Sequence, residues 1–218
     1  MTTIAEQAKE IQAAAASRVP PEVVAVFESD QAALAAGGVP AGAVSVGDTL
    51  APFALSDATG QTRTLEELTA DGPAVIVFYR GGWCPYCNVT LRTYQQQLLP
   101  HLGAYSAWLV AISPETPDAS LTTQEKAELS YTVLSDTGVE LATSLGLTFE
   151  PSEAGLAAQR KLGVDIRTTR ADNGTVLPMP TVLLVDSNRR VRFADIHPDY
   201  TGRTEVDDIL AALQTLPN

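Results

Sequence analysis

The sequence predicts a three-layer α/β fold behind a helical N-terminal extension, and three observations predict it. Two unbroken apolar runs, at residues 74–79 and 107–112, read as strands covered on both faces. Segments of helical periodicity alternate with the strands, the pattern of helices packed on both sides of one sheet. A closing hairpin follows, with residues 181–185 and 190–196 turned at Asp186-Ser187-Asn188, and a last helix runs over 205–213.

The elements follow in order. Residues 1–18 compose a helix with Ile4, Ala8, Ile11 and Ala15 on one face. Pro20-Pro21 breaks it, and Pro21 suits the first turn of a second helix that reaches Ala36 and stops at Gly37-Gly38. Residues 1–43 are expected to be a helical extension used for packing or dimerisation, and residues 44–218 the main domain. Around the turn Asp57-Ala58-Thr59-Gly60, residues 53–55 and 62–64 predict a hairpin. Thr64 with Glu67 makes a capping box, as does Thr122 with Glu125 for a helix through Leu129. Leu91, Tyr94, Leu98 and Leu102 recur at helical spacing. Val133-Leu134 reads as a short strand and 138–145 as a short helix, whereas 148–177 carries weak periodicity.

Composition narrows the function. A net charge of −12 over 218 residues works against phosphate backbones and anionic lipid surfaces, so neither a nucleic-acid nor a membrane partner is expected. The alanine-rich start is interrupted by Glu6, Lys9, Glu10 and Arg18, unlike an export signal, and no window supplies the roughly 18 apolar residues of a membrane span. The cytoplasm is the expected compartment.

Both of the chain's two cysteines fall in one segment, Tyr79-Arg80-Gly81-Gly82-Trp83-Cys84-Pro85-Tyr86-Cys87, which follows a buried strand and leads into a helix. At a helix start the unpaired N–H groups and the helix dipole favour a thiolate, the nucleophilic form of cysteine. Pro85 fits the first turn, where no N–H is needed. Cysteines three apart lie about one turn from each other, 5–6 Å between Cβ atoms, within reach of a disulfide after local adjustment.

Competing readings fare worse. A zinc site needs four ligands, and His101 and His197 lie far from the cysteines in sequence. Haem attachment would put histidine where Asn88 stands, and an iron–sulfur cluster needs a second cysteine pair. Neither a metal nor a cofactor is expected. Arg80 has two readings, a group that stabilises the thiolate and a solvated strand-end residue. Trp83 is expected to shield the sulfur, Tyr86 to be exposed contact surface, and Arg92 a surface charge. Pro180, just before the 181–185 strand, is either a strand-edge marker or a cis proline facing the cysteines.

The run from Phe78 to Asn88, with Ile112-Ser113-Pro114, Leu134-Ser135-Asp136 and Pro180-Thr181, resembles the peroxiredoxin-like branch of the alkyl hydroperoxide reductase and thiol-specific antioxidant family. That resemblance implies a thioredoxin-like three-layer fold over residues 44–215. On the family's Pro-x-x-x-Thr/Ser-x-x-Cys frame, Arg80 stands at the proline, Cys84 at the threonine and Cys87 at the peroxidatic cysteine. Pro180 stands near where a later arginine would fall. These departures resemble a thioredoxin site.

Two activities fit, with Cys84 and Cys87 catalytic and Arg80, Trp83 and Pro180 in support. The resemblance implies a peroxidase for hydrogen peroxide or alkyl hydroperoxides, in which one sulfur is oxidised to sulfenic acid and the pair then closes to a disulfide. A thioredoxin-like or low-molecular-weight thiol would regenerate it, and a homodimer is implied. The motif residues instead fit exchange with a disulfide substrate. The peroxidase leads; a non-catalytic redox sensor is the third reading. Thioredoxin logic makes Cys84 the first nucleophile, and the peroxiredoxin frame makes it Cys87.

Overall fold

The computed structural model describes residues 2–216, so Met1 of the predicted first helix and the last two residues of the predicted main domain lie outside them. Its elements are α1 (Ile4–Arg18), α2 (Pro21–Gly37), β1 (Ala54–Asp57), β2 (Thr62–Thr64), α3 (Leu65–Thr69), β3 (Ala74–Phe78) and α4 (Pro85–Thr93). A π-helical turn (Tyr94–Leu98) joins α4 to α5 (Leu99–Leu102). Then come β4 (Trp108–Ser113), α6 (Pro117–Lys126), β5 (Thr132–Ser135), α7 (Glu140–Ser144), β6 (Thr148–Phe149) and α8 (Glu153–Lys161). Last are β7 (Leu177–Pro178), β8 (Thr181–Val185), β9 (Val191–Ile196) and α9 (Val206–Gln214).

Seven strands form one sheet in the order β2-β1-β5-β4-β3-β8-β9, while β6 and β7 pair separately. β3, β4 and β5 run parallel at its centre. All five residues of β3 are buried because each face is covered. Val75 and Val77 point into a core shared with α1, α4 and α9. Ala74, Ile76 and Phe78 point the other way, against α3 and α7. The three layers are as the sequence predicts.

The π-helical turn widens the helix by one residue, and Leu91, Tyr94, Leu98 and Leu102 all stay in the core. Tyr94 anchors the turn by donating from its hydroxyl to the Thr204 carbonyl at 2.7 Å.

The N-terminal helices are tied into the domain. Thr3 and Glu6 form a capping box at the start of α1. The Glu205 carboxylate accepts from the backbone N–H groups of Ile4 and Ala5 at 3.0 and 2.8 Å. A carboxylate on the unpaired N–H groups of a helix start contributes about 0.5–2 kcal/mol. Ile4 is fully buried in the core beneath α4 and α9, and the Asp30 carboxylate of α2 accepts from the Ser152 hydroxyl at the start of α8.

One start differs from expectation. The helix predicted to open at Thr122 begins at Pro117, with Thr116 as its cap, and the Thr122 hydroxyl donates to the Asp118 carbonyl one turn back. Proline at the first position followed by an acidic residue makes the stronger start. Among the described residues no helix is long and apolar enough to cross a membrane.

Candidate active site

The cysteine segment leaves the C-terminal end of β3, the edge of a parallel sheet where loops converge. Gly81 takes φ 146°, a conformation that side chains rarely adopt. A Cβ on Gly82 would lie 2.0 Å from Thr123 Oγ1, so only glycine lets the loop pass this close to α6. Gly82 N–H donates to the Glu115 carboxylate at 2.8 Å, and Asn88 Nδ2 donates to the Gly82 carbonyl at 2.9 Å. Together these contacts hold the loop against α4.

Cys84 is the N-cap of α4, with Pro85 in the first turn. Its side chain makes no capping hydrogen bond, so the sulfur sits at the helix start without the role that an oxygen has at ordinary caps. Cys87 sits within the helix. Cys84 is 1 % exposed and Cys87 fully buried, and neither is in a disulfide.

Two guanidinium groups flank the sulfurs. Arg80 Nη1 donates to Cys84 Sγ at 3.8 Å, and Arg203 Nη2 donates to Cys87 Sγ at 3.4 Å. Arg80 is no solvated strand-end residue: it is 4 % exposed and lies 3.9, 4.8 and 5.9 Å from the ring centres of Tyr200, Trp83 and Phe149. Aromatic faces stabilise the cation without neutralising it, which leaves its field to the sulfur. Arg203 is positioned through its donors to the carbonyls of Tyr200 and Gly202.

The sulfurs divide the work. Burial pushes the Cys84 thiol up, but the Cys87 hydrogen bond, the charges of Arg80 and Arg203 and the Cys87 N–H outweigh it and hold Cys84 well below the usual thiol range. Burial also pushes Cys87 up, and the hydrogen bond to and charge of Cys84 push it further, so it stays protonated. The surroundings thus favour the thiolate at Cys84 and the thiol at Cys87.

Around Cys84 lies a cavity of about 410 Å³ roofed by α1 and α2. Trp83 and Tyr86 line it, so Tyr86 is half-buried rather than exposed contact surface, and burial raises its phenol to about 12. The extension expected only to pack or dimerise therefore forms a wall of the site. Arg92 is exposed on the far side of α4.

Pro180 adjoins Cys87 instead, in a cavity of about 10 Å³ that also meets Tyr94, His197 and Arg203. The Met179–Pro180 peptide is trans, which corrects the cis reading. Trans is the lower-energy form even before proline, and here the Pro180 carbonyl continues the hairpin by accepting from His197 N–H at 2.9 Å. An arginine does stand beside the Cys87 sulfur, but it is Arg203, from the loop before α9.

Sequence reasoning missed Arg203, Glu115 and Tyr200. Arg203 lies 116 positions from Cys87, in an aperiodic turn whose one visible signal is Gly202. Among the described residues no three His, Cys, Asp or Glu side chains cluster as a metal site.

Residues 46–194 match the family model described as AhpC/TSA. Two relatives from Mycobacterium tuberculosis, strains CDC 1551 and H37Rv, bear the name peroxiredoxin. Each is 26 % identical over 174 residues, covering 79 % of this chain and 98 % of the relative. Among solved structures, peroxidoxin BcpB from Mycobacterium tuberculosis superposes with a TM-score of 0.62 at 24 % identity, covering 79 % of this chain and 98 % of its own. A peroxiredoxin-like protein from Aquifex aeolicus gives 0.62 at 15 %, covering 79 % and 87 %. These likenesses extend the thioredoxin-like fold to solved peroxiredoxins, and the match over residues 46–194 makes this chain a member of the AhpC/TSA family.

Proposed function

We propose that this chain is a thiol-dependent peroxidase in which Cys84 is the attacking sulfur and Cys87 the resolving one. The observation that carries the reading is the place of the Cys84 sulfur, at the start of α4 and 3.8 Å from the Nη1 of an arginine caged by aromatic rings. The Cys84 thiolate attacks the terminal oxygen of a hydroperoxide, the O–O bond breaks, and the leaving alkoxide or hydroxide takes a proton. The Cys87 thiol, three residues on in the same helix, supplies it. Its sulfur then displaces hydroxide from the Cys84 sulfenic acid, forming the disulfide and, with one solvent proton, water. An external dithiol returns both thiols.

Arg80 and Arg203 hold the thiolate ionised, and Arg80 stands where charge develops on the departing oxygen. Trp83 fixes the Arg80 guanidinium by stacking, and Pro180 closes the wall behind Cys87. Burial of Cys84 beneath α1 and α2 favours a peroxide over a protein disulfide, which would need the helices to move.

The family match begins at residue 46, which supports a division between an extension over 1–43 and a domain over 44–218. Regeneration by a thiol fits a reducing compartment such as the cytoplasm, with a thioredoxin-like or low-molecular-weight reductant, and a homodimer is part of the same proposal. Stopped-flow mixing of reduced protein with hydrogen peroxide, an organic hydroperoxide and a small disulfide tests the reading. Rapid oxidation by a peroxide, with turnover when reductant is added, is expected. Faster reaction with the disulfide than with either peroxide would make the chain a disulfide reductase, and a single oxidation without turnover a sensor.

A further inference from the structure

We propose that the α1–α2 hairpin is this chain's substrate-binding element, closing over Cys84 a chamber that takes organic hydroperoxides with a bulky apolar body in preference to hydrogen peroxide. This rests on the peroxidase reading. The roof residues precede residue 46, where the family match begins, so the roof lies outside the matched region while the floor lies within it.

Size comes first. Hydrogen peroxide is little larger than water, whose share of liquid volume is about 30 Å³. A chamber of about 410 Å³ is more than ten times that, and falls in the range of pockets for small organic ligands. Ile11 and Ala15 from α1, Val24 and Phe27 from α2, and Leu162 and Val164 beyond α8 make its walls apolar. Water fills such a space poorly, and an aryl or acyl body fills it well.

The polar groups make a second observation. Arg80 and Gln159 both line the chamber and are 4 % and 8 % exposed. Each carries a buried polar atom with no partner, Nε on Arg80 and Oε1 on Gln159. One is a donor and the other an acceptor, and buried groups of this kind normally find partners. A hydroperoxide supplies both: its oxygens accept, and its terminal O–H donates. The Arg80 guanidinium also reaches Cys84 Sγ through Nη1, so the Arg80 end of the chamber lies beside the reacting sulfur. A neighbouring cavity of about 210 Å³ shares Phe27, Arg80, Gln159 and Tyr200 and leaves room for a longer body.

The chemistry balances with such a substrate. The distal oxygen passes to Cys84 sulfur, which loses two electrons, and the organic alkoxide takes a proton and leaves through the chamber as an alcohol.

The test uses the full chain, reduced, with cumene hydroperoxide and hydrogen peroxide in stopped flow, and compares wild type with Ala15→Trp, which fills the chamber. Wild type is expected to oxidise faster with cumene hydroperoxide, and the ratio of the two rate constants to fall at least about tenfold in the variant, the scale on which an apolar pocket discriminates. A wild-type ratio below one, or a ratio within about threefold of wild type in the variant, overturns the proposal. Cumyl alcohol, the product, gives a readout free of chemistry: amide shifts in Cys84→Ser should saturate and cluster on α1 and α2. Absence of saturable shifts also overturns it. Saturable shifts with a wild type inert to both peroxides would support the chamber and overturn the peroxidase reading.

Discussion

Cys84 and Cys87 stand three residues apart, yet their surroundings are opposites. Cys84 caps a helix, meets an arginine caged by three aromatic rings, and faces a chamber of about 410 Å³. Cys87 lies inside the helix, meets an arginine positioned by loop carbonyls, and borders a cavity of about 10 Å³. The difference teaches that a two-residue spacer makes a sulfur pair but does not rank its members. Ranking comes from which sulfur takes the helix start and which has space before it.

Removal of each sulfur in turn is the largest way to break the contrast. Cys84→Ser should slow oxidation by peroxide at least about a thousandfold, the order at which loss of a nucleophile acts. Cys87→Ser should still form sulfenic acid in one turnover, trapped by dimedone and read by mass, but should not cycle. Sulfenic acid on Cys87 in the first variant would reverse the assignment.

The arginines sharpen it next. Arg80→Met should slow Cys84 oxidation at pH 7 by about a hundredfold, as for a lost preorganised donor, and Arg203→Met by about tenfold. Equal losses would erase the distinction between the two surroundings.

The pH dependence follows from the same contrast. Because Cys84 is held below the usual thiol value near 8.5, the native chain binds fewer protons there than the unfolded chain. Its contribution to stability is present above that ordinary value and lost as pH falls through the lowered one. Cys87, raised, has the opposite sign: its contribution is present below the ordinary thiol value and lost as pH rises through the raised one. Cys84→Ser should therefore flatten the acid-side fall in melting temperature of the reduced protein, and Cys87→Ser the alkaline-side fall.

The smallest effect concerns the roof. Thr3→Ala removes the α1 cap and should cost about 1 kcal/mol in urea unfolding. Alkylation should speed up at Cys84, under α1, more than at Cys87.

Much of this was legible in the sequence. The apolar run 74–79 announced a doubly covered strand, and Pro85 after Cys84 announced the helix start. Thr64 with Glu67 forms the capping box expected of it, whereas Thr122 with Glu125 lost to Thr116-Pro117, because a proline start nearer the N-terminus leaves Thr122 inside the helix. In segment 148–177, β6 and β7 are two residues each, too short for a period to register, and the nine-residue α8 between them was not predicted. At the site, Cys84, Cys87, Arg80 and Trp83 were visible because they share one segment. Arg203 and the α1–α2 wall were not, since long loops and helix packing bring them in and no local spacing records that.

One consequence of the paired sulfurs concerns damage. In the proposed cycle a sulfenic acid on Cys84 has two fates, condensation with the thiol three residues on or capture of a second oxidant molecule arriving from solution. The first is a collision within one helical turn, whose effective concentration no ambient peroxide can match. On the proposed roles, irreversible sulfinate is thereby starved of its precursor, which would let a peroxidase survive repeated exposure to the oxidant it consumes.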